Sequence, residues 1–331
     1  MPSKPAPLVF FGSGPVAART LGFLRRHFQI ELVITKKPAG RRVLAGSVQA
    51  AARQPGLSIL ELAAVQTGGE LSRAILGAPL KSRVGVVVDF GLLIPGPVIK
   101  AFPLGIINSH FSLLPEWRGA DPISCTILSG QRQTGVSLML INERLDEGPL
   151  LAQKVLPASP RELDGRRLTN ELIKLSNGLL RSVLPLYLAG KLTAYPQSDQ
   201  ITPSYSRKLR KEDGRMDWNK SAERLEREIR AFIEWPKSRG LIGGLEVIIS
   251  RARVTADSGP AGDCKIINRD GLLVYCGRGA LLIERLKPPG KPEMSAAAFL
   301  AGYGGRLTGE PKRPAAGRPA GRPPESGAPG L

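Results

Sequence analysis

Residues 8–21, Leu-Val-Phe-Phe-Gly-Ser-Gly-Pro-Val-Ala-Ala-Arg-Thr-Leu, decide the fold. A short apolar run ends on a glycine turn, and the chain then passes directly into a helical pattern. A second apolar run, Ile30-Glu-Leu-Val-Ile-Thr35, follows. Strand, turn, helix and strand in this order open a parallel α/β sheet. The turn Gly12-Ser13-Gly14 is not a dinucleotide fingerprint. Position 17 is alanine, and the second strand closes on Thr35-Lys36-Lys37 with no acid to hold a ribose. The turn is read as structural.

Working outward, Val84–Phe90 and Gly105–His110 are further apolar runs, with a Pro-punctuated helical segment near Val98–Lys100 between them. Continuous β-branched runs belong to strands covered on both faces. Thr134–Ile141 and Leu150–Leu156 read as another pair of strands. Apolar residues at 168, 172, 175, 179 and 183 mark a helix that Gly190 closes. These elements define a first domain over 1–190. Residues 191–205, rich in proline and polar residues, read as a linker. A second domain over 206–307 holds one helix, Ser221–Ile233, and short strands at 245–250, 262–267, 271–276 and 280–286, the spacing of a small barrel. Residues 308–331, almost only Gly, Pro, Ala and Arg, are expected to be a disordered tail.

The chain has 331 residues and a net charge of +19, with 16 basic against nine acidic residues over 1–150 and 20 against 13 over 202–307. An excess spread this evenly points to a polyanionic partner or to a generally basic surface. No apolar run reaches the roughly 18 residues a bilayer span needs. The N-terminus lacks a signal-peptide core, so a cytoplasmic protein with no membrane partner is expected. Cys125, Cys264 and Cys276 show no metal-ligand spacing, and neither disulfide nor metal centre is expected.

The chemistry concentrates in Asn108-Ser-His-Phe-Ser-Leu-Leu-Pro115. Strand neighbours i and i+2 share a face, so Asn108 and His110 point together from a strand end, where open α/β sheets bind ligands. An amide beside an imidazole suits an oxygen that gains negative charge. A third group is needed to move a proton or set the charge of the ring. Asp146, in the turn Arg144-Leu-Asp-Glu-Gly-Pro149, is the first candidate, with Glu143 and Glu147 as rivals; a polar structural cluster remains the alternative.

NSHFSLLPEWRGADPI (108–123) with TGVSLMLINERLDEG (134–148) resembles the folate-dependent formyltransferases, whose pattern is Asn-x-His, Ser-Leu-Leu-Pro-x-x-Arg-Gly and a Leu-Asp-x-Gly turn about 36 residues after the histidine. Within them the resemblance is to the methionyl-tRNA formyltransferases and reaches residue 305. KKPAGR (36–41) resembles their basic insertion loop and DFGLLIP (89–95) their AYGLILP strand end. SYSRKLRKEDGRMDW (204–218) resembles the entry to their C-terminal domain.

The resemblance implies a Rossmann-like formyltransferase domain followed by an OB-like β-barrel. It implies formyl transfer from 10-formyltetrahydrofolate to the methionine α-amino group of initiator methionyl-tRNA, by a monomer. Asn108 and His110 would stabilise the oxyanion, and Asp146 would set the charge of the histidine and help remove the amine proton. Leu92, Leu93, Ile94, Ser112, Leu113, Leu114 and Pro115 would meet the folate. Lys36, Lys37, Arg41 and Arg42 would contact tRNA. The chain departs from the pattern at Phe111, where a small residue is usual, at Asp121 in place of alanine, and in a short 34–49 loop. These departures bear on pocket shape and acceptor-stem recognition. A formyltransferase for a small amine, such as a sugar nucleotide or glycinamide ribonucleotide, and a catalytically inactive tRNA-binding protein are the other two readings.

Overall fold

The computed structural model describes residues 6–38, 44–63, 67–268 and 270–307; Arg41, Arg42 and residues 308–331 lie outside the described residues. The chain divides into two compact units, one of residues 1–217 and 223–239 and one of 218–222 and 240–331.

The first unit runs β1 (Leu8–Gly12), α1 (Pro15–Leu24), β2 (Ile30–Lys36), α2 (Val48–Arg53), β3 (Ile59–Leu62), α3 (Thr67–Leu76), β4 (Gly85–Val88), α4 (Gly96–Lys100), β5 (Ile106–His110), β6 (Arg118–Gly119), α5 (Pro122–Ser129), β7 (Gly135–Leu140), β8 (Leu150–Val155), α6 (Gly165–Leu188), β9 (Tyr205–Ser206) and most of α7 (Ala222–Ala231). Seven strands form one sheet in the order β3-β2-β1-β4-β5-β7-β8. The five from β3 to β5 are parallel; β7 is added antiparallel to β5 at one edge and β8 antiparallel to β7. Both sheet faces are covered. Leu8, Phe10 and Val86 pack with α1, α5 and α6, whereas Val9, Phe11 and Val87 pack with α3 and α4. This two-sided burial explains why the strands read as unbroken apolar runs. The first strand feeds leftward to β2 and β3, and β4 feeds rightward to β5. The switch in direction opens a crevice at the carboxyl ends of β1 and β4, the usual ligand site of such sheets.

The first unit reaches past the expected boundary at 190. Leu150 bridges to Tyr195, and β6 pairs with β9 in a separate two-stranded sheet, so the supposed linker is stitched to this unit. Helix α7 belongs here because Arg224 donates to the Leu128 carbonyl at 2.9 Å and Arg230 to that of Leu163 at 2.9 Å. Side chain to backbone contacts of this kind leave no mark in composition.

The second unit is built on β10 (Ser238–Ile242), β11 (Leu245–Thr255), β12 (Cys264–Ile267), β13 (Gly271–Tyr275), β14 (Ala280–Lys287) and β15 (Met294–Ser295), with α8 (Ala296–Leu307). The sheet order is β10-β11-β14-β13-β12, with β15 also on β14. The pairs β11–β14, β13–β14, β12–β13 and β14–β15 are antiparallel. Among the described residues no helix is long and apolar enough to cross a membrane.

Candidate active site

Strand β5 ends in the stretch that drew attention in the sequence. Its pleat turns Ser109 into the core, where the hydroxyl lies 2.7 Å from that of Ser176 on α6. Asn108 and His110 therefore face the other way, at the carboxyl edge of the sheet. Asp146 arrives from the turn after β7, with a positive φ of 53° and only 8% exposure. Asn108 Nδ2 donates to Asp146 Oδ1 at 3.2 Å, and the Gly119 amide donates to Oδ2 at 2.8 Å. His110 Nδ1 stands 3.7 Å from Oδ2, and Nε2 lies 2.8 Å from the Trp117 carbonyl oxygen. A carbonyl only accepts, so Nε2 carries a hydrogen and Nδ1 is the nitrogen left facing Asp146.

The three side chains thus meet. The rival carboxylates do not join them. Glu147 pairs with Arg118 at 3.4 Å and Arg144 at 3.7 Å, and Glu143 stands beside Gly96.

Sequence reasoning missed the groups that hold this trio. Gln197, from the supposed linker, donates through Nε2 to the carbonyls of Asp146 (2.8 Å) and Gly148 (2.9 Å), and its Oε1 accepts from Arg118 Nη2 at 2.8 Å. Gly119 is fixed by close approach: its φ is 115°, and a Cβ there would stand 2.2 Å from the Ser206 carbonyl oxygen. Below the trio, Ser137 Oγ donates to the Ser112 carbonyl (2.7 Å) and accepts from the Leu114 amide (3.0 Å), while Gln153 Nε2 donates to the Leu114 carbonyl (2.8 Å). The one advance signal was Gln153, a polar residue inside the apolar run 150–156; Gln197 sat in a polar stretch that gave none.

The segments expected to meet folate divide. Leu93 is 77% exposed, and Leu92 and Leu113 are half-buried. Ile94, Ser112, Leu114 and Pro115 are buried: Ile94 packs with Val98 and Phe102, and Leu114 with Met139 and Leu150. Those four support the loops and keep little side-chain surface for a ligand. A cavity of about 400 Å³ is lined by Gly96, Ile99, Lys100, Ile141, Asn142, Glu143 and Arg144, and none of the seven segment residues expected to meet folate lines it. Phe111 is 7% exposed and packs among Ile107, Ile127 and Leu138, so its bulk is absorbed by the core and does not reshape the pocket. Asp121 caps no helix through its side chain; its Oδ2 accepts from the Leu209 amide at 2.7 Å.

Lys36 closes β2, half-buried, and Lys37 is exposed. Loss of water and the neighbouring Lys208 lower the pKa of Lys36, with Asp89 opposing. Asp89 is open to solvent on one side and crowded by protein on the others. That crowding raises its carboxyl from 3.8 to about 6, with Lys36 opposing and Asp121 adding. A carboxyl whose folded pKa exceeds its unfolded value costs stability above about pH 6, a cost that fades as pH falls toward 4. Because the group keeps solvent access, the effect is modest. Asp89→Asn is expected to raise Tm at pH 7.5 by up to about 3 °C and to lose most of that gain at pH 4.5. A thermal melt at both pH values decides, and an equal shift at each would assign the change to packing.

With this geometry in hand, residues 8–184 match the formyl transferase family and 208–304 match the formyl transferase C-terminal domain. The methionyl-tRNA formyltransferase of Geobacter sulfurreducens is 31% identical over 301 residues, which cover 89% of this chain and 93% of that one. That of Pseudoalteromonas translucida is 35% identical over 309 residues, 91% of this chain and 95% of the relative. This chain belongs to the methionyl-tRNA formyltransferase family. Both domains of a methionyl-tRNA formyltransferase are present, and the trio lies inside the first matched segment. The fold also extends to a Helicobacter canadensis N-formyltransferase solved with folinic acid and dTDP-3-aminofucose, at a TM-score of 0.63 and 18% identity over 85% of this chain and 99% of that one.

Proposed function

We propose that this chain transfers the formyl group of 10-formyltetrahydrofolate to the α-amino group of methionine on initiator methionyl-tRNA, with Asn108, His110 and Asp146 as its catalytic groups. The observation that carries the reading is the convergence of the three on one buried point at the sheet edge. One Asn108 amide hydrogen is given to Asp146, and the other is free for the oxygen that becomes an anion as the amine adds to the formyl carbon. His110, tied through Nε2 to Trp117, offers Nδ1 to the same oxygen when protonated, with Asp146 as counter-charge. Asp146 takes the proton that the amine sheds on attack. That proton is returned to the folate nitrogen as its bond to the formyl carbon breaks, so no net proton is gained or lost.

The cavity lined by Gly96, Ile99 and Ile141 supports a fused-ring co-substrate site. Ile99 and Ile141 supply apolar faces, Asn142 and Glu143 supply polar edges, and the volume lies in the range of small-molecule sites, roughly 300–1,000 Å³. Lys36 and Lys37, with Arg41 and Arg42 of the same loop, are positioned in sequence to track the tRNA backbone. The enzyme acts in the cytoplasm, as a monomer.

Purified protein supplied with 10-formyltetrahydrofolate is expected to formylate charged initiator tRNA, with the log of tRNA affinity falling steeply and linearly against log salt. Formylation of a small amine alone, with salt-independent kinetics, would replace this reading by the small-substrate formyltransferase. Tight tRNA binding with no formylation would leave an inactive binding protein.

A further inference from the structure

The crevice at the switch point, between the ends of β1 and β4, holds polar groups that the reaction above does not use. Asp89 follows β4 in a left-handed backbone conformation, φ 46°, and its carbonyl accepts the Ser13 amide at 2.9 Å. Its carboxylate lies over the β1 turn, since a Cβ at Gly14 would stand 2.8 Å from Asp89 Oδ2. Lys36 reaches in from the other side, its Nζ 2.9 Å from where a Cβ at Gly91 would be. Among the described residues the carboxylate of Asp89 accepts no hydrogen bond, and the Ser13 hydroxyl is buried without a partner. A carboxylate with only solvent to donate to it, in a strained backbone beside a buried hydroxyl that has no partner, leaves hydrogen-bonding capacity for a ligand to complete.

The register of the sheet places this crevice relative to the trio. Val87 of β4 lies opposite Asn108 of β5, so the end of β4, which Asp89 follows, lies beside the strand end that carries His110, one strand spacing of about 4.8 Å away. In an aminoacyl-tRNA the reacting amine is joined to the terminal ribose through the α-carbon, the carbonyl carbon and the ester oxygen. The free hydroxyl of that ribose therefore lies about 5–7 Å from the amine nitrogen. With the amine at Asn108 and His110, the ribose falls at the neighbouring strand end.

Resting on the function proposed above, we propose that Asp89 is a specificity-determining residue that accepts the vicinal hydroxyl of the acceptor's terminal ribose, with Ser13 completing the hydrogen-bonding and Lys36 beside the adjoining phosphate. Doubly wound sheets commonly hold ribose hydroxyls with an acid at the end of β2. This chain has Lys36-Lys37 there, and the acid comes from β4 instead. The resembling segment AYGLILP has alanine at this position, so the contact belongs to this chain's own residues.

The test uses full-length protein and initiator methionyl-tRNA ending either in adenosine or in 2′-deoxyadenosine. A hydrogen bond to a charged group predicts that the deoxy terminus lowers wild-type kcat/KM roughly tenfold to a hundredfold. Asp89→Ala should lose a similar factor on the natural terminus and almost nothing further on the deoxy one, with KM for 10-formyltetrahydrofolate unchanged. Asp89→Asn, which keeps shape and an acceptor oxygen, should fall between and guards against a folding defect. Losses that multiply, or an unaffected Asp89→Ala enzyme, overturn the inference while leaving the reaction intact. Wild-type protein inactive on both termini removes the parent reading, and this one with it.

Discussion

Asp146→Asn is expected to lower kcat by about 10³, within the span of roughly 10²–10⁴ that a positioned proton-transfer group supplies. The substitution keeps the shape of the side chain but replaces an acceptor-only group by one that must donate from one end. Both oxygens of Asp146 now face donors, the Gly119 amide at 2.8 Å and the Asn108 amide at 3.2 Å. Turned one way, the new amide meets the Gly119 hydrogen with its own; turned the other, its hydrogen can be accepted only if Asn108 presents its oxygen and withdraws its donor. In either case the group can no longer take a proton from the attacking amine. The expected signature is a collapse of the single-turnover rate with both KM values within a few-fold of wild type. A thermal melt separates this from unfolding, since Asp146 lies at 8% exposure in a turn also held by Gln197 through backbone carbonyls that the substitution leaves alone. A loss in kcat below tenfold would remove Asp146 from the proton path and leave the proton to another base.

What could be foreseen of this site follows from the range of the interactions involved. Asn108 and His110 were paired by the period of a strand, which is a local property, and the structure turns Ser109 to the opposite face as that period requires. Phe111, two residues after Ser109, continues the same period and packs in the core with Ile107, Ile127 and Leu138. Buried apolar runs, by contrast, say nothing of direction. Leu150–Val155 and Gly135–Leu140 read as strands, but only the pairings Ser109↔Leu138 and Ser137↔Gln153 show that β7 runs against β5 and that β8 turns back again. Helix α8 was missed because Ala296–Ala298 and three glycines blur its apolar stripe, leaving Phe299 and Leu300 as its main buried side chains.

Arg118, Trp117 and Gln197 act through fork geometry, a carbonyl and an amide reaching across 51 residues to Asp146. Such contacts depend on the finished fold. The sequence therefore names reacting groups better than it names the groups that aim them.

Asn108→Ala is the second large effect, a fall of about 10²–10³ in kcat, the usual cost of removing one donor from an anion-stabilising pair. The side chain has two hydrogens with separate duties: one holds Asp146 Oδ1, and the other faces the site. Alanine removes both, so the loss contains a direct part and a part that comes from a looser Asp146. These are separable. His110→Ala removes the other donor and the ring that faces Asp146 Oδ2 at 3.7 Å, and each single variant should already disable most of the unit. Groups that act together give losses far smaller in combination than their product. The doubly substituted enzyme should therefore be little worse than the poorer single variant, with methionyl-tRNA binding retained in all three because Lys36 ends another strand, β2, and Lys37 follows it. Strict multiplication of the two losses would mean that Asn108 and His110 serve different steps, and the shared oxyanion would have to be given up.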